Sequence, residues 1–225
     1  QSLINGLITT KSNLKLLNSK AIAQLVQEYE AIAVPSNSKY TTLDQLVNDL
    51  RANPKSVTFI GSQAGGVDHT FMALIFNQLN IDPASGAYLP QNSGFDVVNK
   101  VMTDKSFVAL STSGDFVAQA NTGKLRVLGV AAPEKLAWIK AKTLQQQNLN
   151  LVYGNWYGIF VPPQLSNADT SNFIHILDIF QNSKQWQKTL SDNFWSPGYL
   201  GQKEFVEKIE QQTGETRQLL QQLGF

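Results

Sequence analysis

The chain has 225 residues, 42% of them hydrophobic and 16% charged. At ~100–200 residues per domain this supports one large domain or two small lobes with a sizeable core, which excludes disorder and a disulfide scaffold. A net charge of +1, with Arg51, Arg126 and Arg217 as the only arginines and the lysines scattered, excludes the clustered basic face of a nucleic-acid binder, and the absence of cysteine excludes thiol catalysis and Cys-type structural zinc.

The 21 glutamines and 18 asparagines make the surface polar by amide more than by charge. No run approaches the ~18 apolar residues of a membrane span, so no membrane insertion is expected. Zero cysteines suit an oxidising compartment, although cytosolic proteins can also lack cysteine. The chain starts at Gln1 without methionine or a signal-like apolar stretch, so the expectation is a removed leader or a start within a longer protein.

From residue 28 onward strand-like and helix-like segments alternate. Residues 28–34 (E-Y-E-A-I-A-V) read as a strand stopped by Pro35. Thr42 and Gln45 have capping-box spacing, opening a helix that Pro54 ends by residue 53. Residues 56–60 (S-V-T-F-I) read as a buried strand, followed by a glycine-rich turn and a helix over 67–80 with Phe71, Leu74, Ile75 and Leu79 on one stripe. A strand is expected at 87–90, a helix at 94–104 that buries Val97, Val98 and Val101, and a strand at 106–111. A short helix at 114–121 and a strand at 125–131 follow. Next come a short helix at 143–148, a long extended run at 151–161, and helices at 168–181, 183–192 and 202–223. Residues 195–198 (W-S-P-G) read as a turn or edge strand. Repeated strand–helix units imply an α/β fold with a parallel sheet.

One arrangement carries chemistry. A strand, then Gly61, Ser62, Gln63, Ala64, Gly65 and Gly66, then a helix, places a close-approach turn where parallel α/β sheets bind ligands. The exposed amides of this turn and of the following helix would face an anion, favoured by ~0.3–1 kcal/mol from the helix dipole. The Ser62 hydroxyl would donate to a carboxylate oxygen. The same turn also serves as a tight connection with no ligand. It is neither a Walker loop nor G-x-G-x-x-G.

Ser62, Asp68 and His69 resemble a catalytic triad by type only. Asp68 and His69 are helix neighbours whose side chains diverge by about 100°. The nucleophile elbow is absent, so no enzyme is expected. His69 reads as a hydrogen-bonder at a helix start, or as a cleft residue. His175 reads as a helix residue without a ligand role. Two separated histidines make no metal site, and no cofactor is expected.

The segment 61–69 (G-S-Q-A-G-G-V-D-H) resembles the Gly-Ser-x-Ala-Gly-Gly-x-Asp-His segment of bacterial tripartite tricarboxylate transporter receptors, the extracytoplasmic Bug or TctC-type solute-binding proteins. Further matches follow in the family's order. Residues 88–94 (Y-L-P-Q-N-S-G) resemble Tyr-x-Pro-x-x-Gly-Gly, and 123–130 (G-K-L-R-V-L-G-V) resemble Gly-Lys-Leu-Arg-x-Leu-Ala-Val. Residues 143–147 (T-L-Q-Q-Q) resemble the Thr-Leu-x-Glu stretch, and 155–163 (N-W-Y-G-I-F-V-P-P) resemble Asn-Trp-Arg-Gly-x-Phe-x-Pro-Pro. Departures are Lys142 for proline, Gln146 for glutamate and Tyr157 for arginine.

The resemblance implies a two-lobed, type II periplasmic-binding-protein fold of clamshell form, with mixed or parallel sheets flanked by helices. Crossing strands would fall near 28–34 and 155–161. The implied lobes are 1–34 with 156–225, and 35–155. The family's first strand and Gly-Gly-x-x-Asp loop would precede Gln1, so the first lobe is expected to be incomplete. The implied function is a periplasmic, monomeric receptor that closes on a small carboxylate, citrate-like or dicarboxylate, and delivers it to a membrane permease. Gly61, Ser62, Gln63, Ala64, Gly65 and Gly66 would form the anion loop. Asp68 and His69 would open its helix, Asn92, Ser93 and Gly94 would form a neighbouring turn, Thr112 and Ser113 would face the cleft, and Asn155 would sit at the hinge. The rival readings are the effector-sensing domain of a cytoplasmic transcription regulator, and a truncated fragment without solute function or a partner-binding module.

Overall fold

A computed structural model describes all 225 residues. They divide into two compact units, Gln1–Glu28 with Asn155–Gln218, and Tyr29–Gly154 with Leu219–Phe225. In chain order the helices are α1 (Ser2–Thr9), α2 (Leu43–Ala52), α3 (Val67–Gln78), α4 (Gly94–Thr103), α5 (Ser113–Asn121), α6 (Asn167–Phe180), α7 (Lys184–Asp192) and α8 (Gln202–Gln222). The strands are β1 (Lys20–Pro35), β2 (Thr58–Gly61), β3 (Ala87–Pro90), β4 (Phe107–Thr112), β5 (Leu125–Val130), β6 (Gly154–Val161) and β7 (Ser196–Leu200).

In the second unit the sheet order is β3-β2-β4-β1-β5. The strands β3, β2 and β4 are mutually parallel, as strand–helix repeats require. Strand β1 runs antiparallel to β4 and β5, so the sheet is mixed rather than all-parallel. The two faces follow the period of two along each strand. Ile32, Val34, Phe59, Val108 and Leu110 face one core, which α2 and α3 complete with Leu46, Leu50, Phe71 and Phe76. Ala31, Ala33, Ile60 and Ala109 face the other, completed by Val97, Val101 and Phe116 from α4 and α5. Small alanines on that second face let those helices lie close.

In the first unit, β6 and β7 pair with β1, and the β1–β7 register sets Gln24 opposite Leu200 and Gln27 opposite Ser196. Its core gathers Ile4, Ala21, Trp156, Phe205 and Ile209. An ideal Cβ at Gly158 would lie 2.3 Å from the Phe205 ring, so glycine is what lets that ring seat against β6.

Several expectations need correction. The helix α1 and the first half of β1 were not read from the sequence. The short helix expected at 143–148 is only a 3-10 turn at Gln145–Gln147, stopped by Asn148 in the left-handed region at φ 62. At α2, Thr42 accepts from the Gln45 N–H as the capping box predicts, but the Gln45 side chain reaches back to the Thr41 N–H.

Candidate functional site

The parallel trio β3-β2-β4 ends in register. Gly61 pairs with Pro90, and Ile60 with Ala109. Three connections therefore emerge side by side at the C-terminal end of one sheet: loop 61–66 into α3, turn 91–93 into α4, and Thr112–Ser113 into α5. The Gln91 N–H donates to the Gly61 carbonyl at 2.8 Å and ties the first two together. The sequence placed these segments 20 to 50 positions apart, and the sheet brings them to one edge.

Within loop 61–66 the protein itself takes several of the donors expected to meet an anion. The Ser62 N–H donates to Asp68 Oδ2 at 2.6 Å. The Gly65 N–H donates to His69 Nδ1 at 3.0 Å, and the Gly66 N–H to the Gln63 carbonyl at 2.8 Å. The expectation that these amides are all exposed is therefore corrected. Gln63 and Ala64 are exposed. The first-turn amides of Val67, Asp68 and His69 have no intrahelical acceptor, as at any helix start.

Asp68 acts as a built-in anion. It is almost fully buried, and burial pushes its carboxyl up to about 6, against the pull of its bond from the Ser62 N–H. Glu30 on β1 is fully buried and sits opposite Thr112 in the β1–β4 register. The Tyr88 phenol donates to the Ser62 carbonyl at 2.6 Å, and burial beside Asp68 and Glu30 raises its pKa. The His69 ring stacks on Tyr88 with centroids 4.1 Å apart. Burial lowers the His69 pKa to about 4, so Nδ1 stays an acceptor. At Gly61 an ideal Cβ would lie 2.4 Å from the Tyr88 hydroxyl and 2.6 Å from Asp68 Cβ, so glycine is required there by close approach.

The other expected residues divide. Ser93 caps α4, accepting from the Asp96 N–H at 3.2 Å and donating to Asp96 Oδ2 at 2.8 Å. Asn92 is exposed beside it. Gly94 lies against Asp115, where an ideal Cβ would meet Oδ2 at 2.3 Å. The Thr112 hydroxyl donates to Asp115 Oδ2 at 3.1 Å, as does Ser111 at 2.6 Å. Ser113 does not face outward: it is buried, and its hydroxyl accepts from the Trp138 indole at 3.3 Å. Asn155 belongs to the first unit, where its Oδ1 accepts from the Ser2 N–H and hydroxyl, both at 3.3 Å. Sequence reasoning missed Glu30, Tyr88 and Asp115. The available signal for Glu30 was a carboxylate inside an apolar strand, which a buried strand does not tolerate without a partner.

Two cavities lie elsewhere. One of about 600 Å³ in the first unit is lined by Ile4, Leu7, Leu14, Ile209 and Arg217 among others. One of about 360 Å³ in the second unit is lined by Ser36, Asn121, Arg126 and Lys140 among others. Neither touches loop 61–66, and neither gathers a cluster of hydrogen-bonded side chains like the one at the strand ends.

The family model described as tripartite tricarboxylate transporter family receptor matches residues 10–225. No curated protein matches. Among solved structures, a ligand-free TctC solute-binding protein from Polaromonas has a TM-score of 0.80 at 16% identity, covering 98% of this chain and 75% of that one. MatC (Rpa3494) from Rhodopseudomonas palustris, with bound malate, has a TM-score of 0.75 at 12% identity, covering 97% and 76%. Rpa4515 of R. palustris, with adipate, has a TM-score of 0.77 at 12% identity, covering 92% and 69%. The mixed sheet flanked by helices is the fold of these solute-binding proteins.

Proposed function

Since the chain belongs to the tripartite tricarboxylate transporter receptor family, matched over residues 10–225, we propose that it is a periplasmic receptor that binds a small carboxylate and hands it to the membrane permease of such a transporter. The observation that carries this reading is the convergence of loop 61–66, turn 91–93 and Thr112 at one end of the β3-β2-β4 trio, where α/β sheets take ligands. A dicarboxylate suits it better than citrate. Two proteins of like fold are described with malate and with adipate, and no arginine lies in 61–69, 88–96 or 111–115 to pair a third carboxylate.

The ligand contacts fall to the amides of Gln63, Ala64, Val67, Asp68 and His69, to Asn92, and to bridging water. The lobe that carries them is the unit Tyr29–Gly154 with Leu219–Phe225. The receptor acts as a monomer and performs no catalysis, since Asp68 and His69 are each committed to loop amides rather than to one another.

Calorimetric titration of the purified protein with malate, adipate and citrate tests this. Binding of one or more, weakened at least tenfold by Gly65→Val, supports it. Absence of heat with all three, in protein shown to be folded, overturns it.

A further inference from the structure

We propose that the cavity of about 600 Å³ lined by α1, the loop 10–19 and α8 is a second binding site, and that it takes a single-chain aliphatic carboxylate. All of its lining lies in the first unit, whereas loop 61–66 belongs to the second. The proposal therefore stands apart from the carboxylate reading above.

The cavity begins at the end of α1. Lys11 adopts φ 51, in the left-handed region. Its N–H donates to the Ile8 carbonyl at 3.0 Å, and the Ser12 N–H donates to the Leu7 carbonyl at 2.9 Å, which is a Schellman cap. The cap turns the chain out of the helix, and residues 12–17 wall the cavity together with α1. Ile4, Leu7 and Ile8 of α1 form one apolar stripe at helical spacing. Leu14, Leu16 and Leu17 of the loop extend it. On α8, Ile209, Thr213 and Arg217 follow at four-residue steps, so they share one face over about 12 Å of helix. The Thr213 hydroxyl donates to the Ile209 carbonyl at 2.6 Å, so its proton is committed.

The charge at this wall is positive. Lys11, Lys15 and Arg217 line it and are exposed, against the one carboxylate of Glu210. The ion pairs of the chain are Lys39–Asp49 and Lys188–Asp192, so these three cations are free to meet a ligand. Leu14, next to Lys15, is 67% exposed. An open leucine and isoleucine wall with unpaired cations matches a ligand that has an apolar chain and one anionic head.

Size agrees with this. The volume lies within the ~300–1,000 Å³ of small-molecule sites. The stretch of α8 from Ile209 to Arg217 is comparable in length to an extended decanoate. The enclosed volume favours an inserted chain over a lipid surface, which would reach only the exposed Leu14 and the cations. Malate has no apolar chain to bury here, so the two sites would select different ligands.

The test is calorimetric titration of the native protein with hexanoate, octanoate and decanoate, and with octanol as the uncharged counterpart of octanoate. Affinity should rise about fourfold per added methylene as the chain is buried. Octanoate should bind more tightly than octanol, and that advantage should shrink as salt is raised. Arg217→Gln should weaken octanoate by about twofold to fivefold, as for one exposed ion pair, and leave octanol unchanged. Thr213→Trp fills the cavity from α8 and should abolish binding of the whole series, with its fold checked by thermal melting. Failure of decanoate to bind folded native protein, equal affinity for octanoate and octanol, or native affinity for decanoate in folded Thr213→Trp overturns the proposal. Co-sedimentation with phosphatidylglycerol vesicles without binding of free decanoate overturns it in favour of a lipid surface. If decanoate binds as described while malate, adipate and citrate all fail, the second site stands and the carboxylate reading at loop 61–66 falls.

Discussion

Asp68 and His69 are adjacent in the chain and make opposite demands on pH. The Asp68 carboxyl is raised from 3.8 to about 6, so the stability it contributes is full below about pH 4 and is lost as pH rises through 6. The His69 ring is lowered from 6.5 to about 4, so its contribution is full above 6.5 and is lost as pH falls through 4. Each is worth about 3 kcal/mol over the whole window, and between pH 4 and 6.5 they offset one another. Thermal melts of the native protein should be nearly flat in that window as far as these two groups decide it. Asp68→Asn should expose the histidine slope and lose stability on acidification. His69→Gln should expose the opposite slope and lose stability as pH rises. Parallel profiles for the two variants would refute the assignment.

The connections at the strand ends carry the steric constraints. Gly61→Ala would drive a methyl against Tyr88 and Asp68, and should cost about 1–3 kcal/mol by overpacking, read as a lower midpoint in urea. In the first unit, Phe205 is fully buried against Trp156 and Gly158. Phe205→Ala should cost about 3–5 kcal/mol by the same measurement.

What could be read ahead at this level followed the range of the interactions. The strand Ala87–Pro90 and the helix Gly94–Thr103 have local signals, a turn before and a Ser93 cap with an apolar stripe after, and they appear as expected. The first half of β1 was not legible because its glutamines look like surface. Gln24 is buried, donates to the Gly198 carbonyl at 2.7 Å and accepts from Lys208 at 2.7 Å, partners more than 170 positions away. Glu30 was missed for the same reason, since a carboxylate reads as a surface residue and only the folded sheet buries it. The glycine loop was found by composition, yet its amide donors were misjudged because Asp68 and His69 turn back onto it.

For the molecule as a whole, strand–helix alternation gave the α/β class, and the ordered motifs gave the family that residues 10–225 match. The antiparallel course of β1 was beyond strand–helix counting, because sheet order depends on pairings such as Glu30 with Thr112 and Ala31 with Val130 rather than on local sequence. A bound carboxylate should stabilise the entire fold by mass action. At a malate concentration 100 times its Kd the gain is about 2.7 kcal/mol. For a chain of this length that raises Tm by roughly 5–10 °C. A Tm indifferent to malate, adipate and citrate at millimolar concentration would contradict that linkage.

The inward bonding of loop 61–66 also gives it an isotopic signature. In deuterated solvent the amides of Ser62, Gly65 and Gly66, tied to Asp68, His69 and Gln63, should exchange slowly, while their exposed neighbours Gln63 and Ala64 exchange fast. Five consecutive residues thus divide into protected and labile amides. Acceleration at Ser62 alone would report that Asp68 has let go.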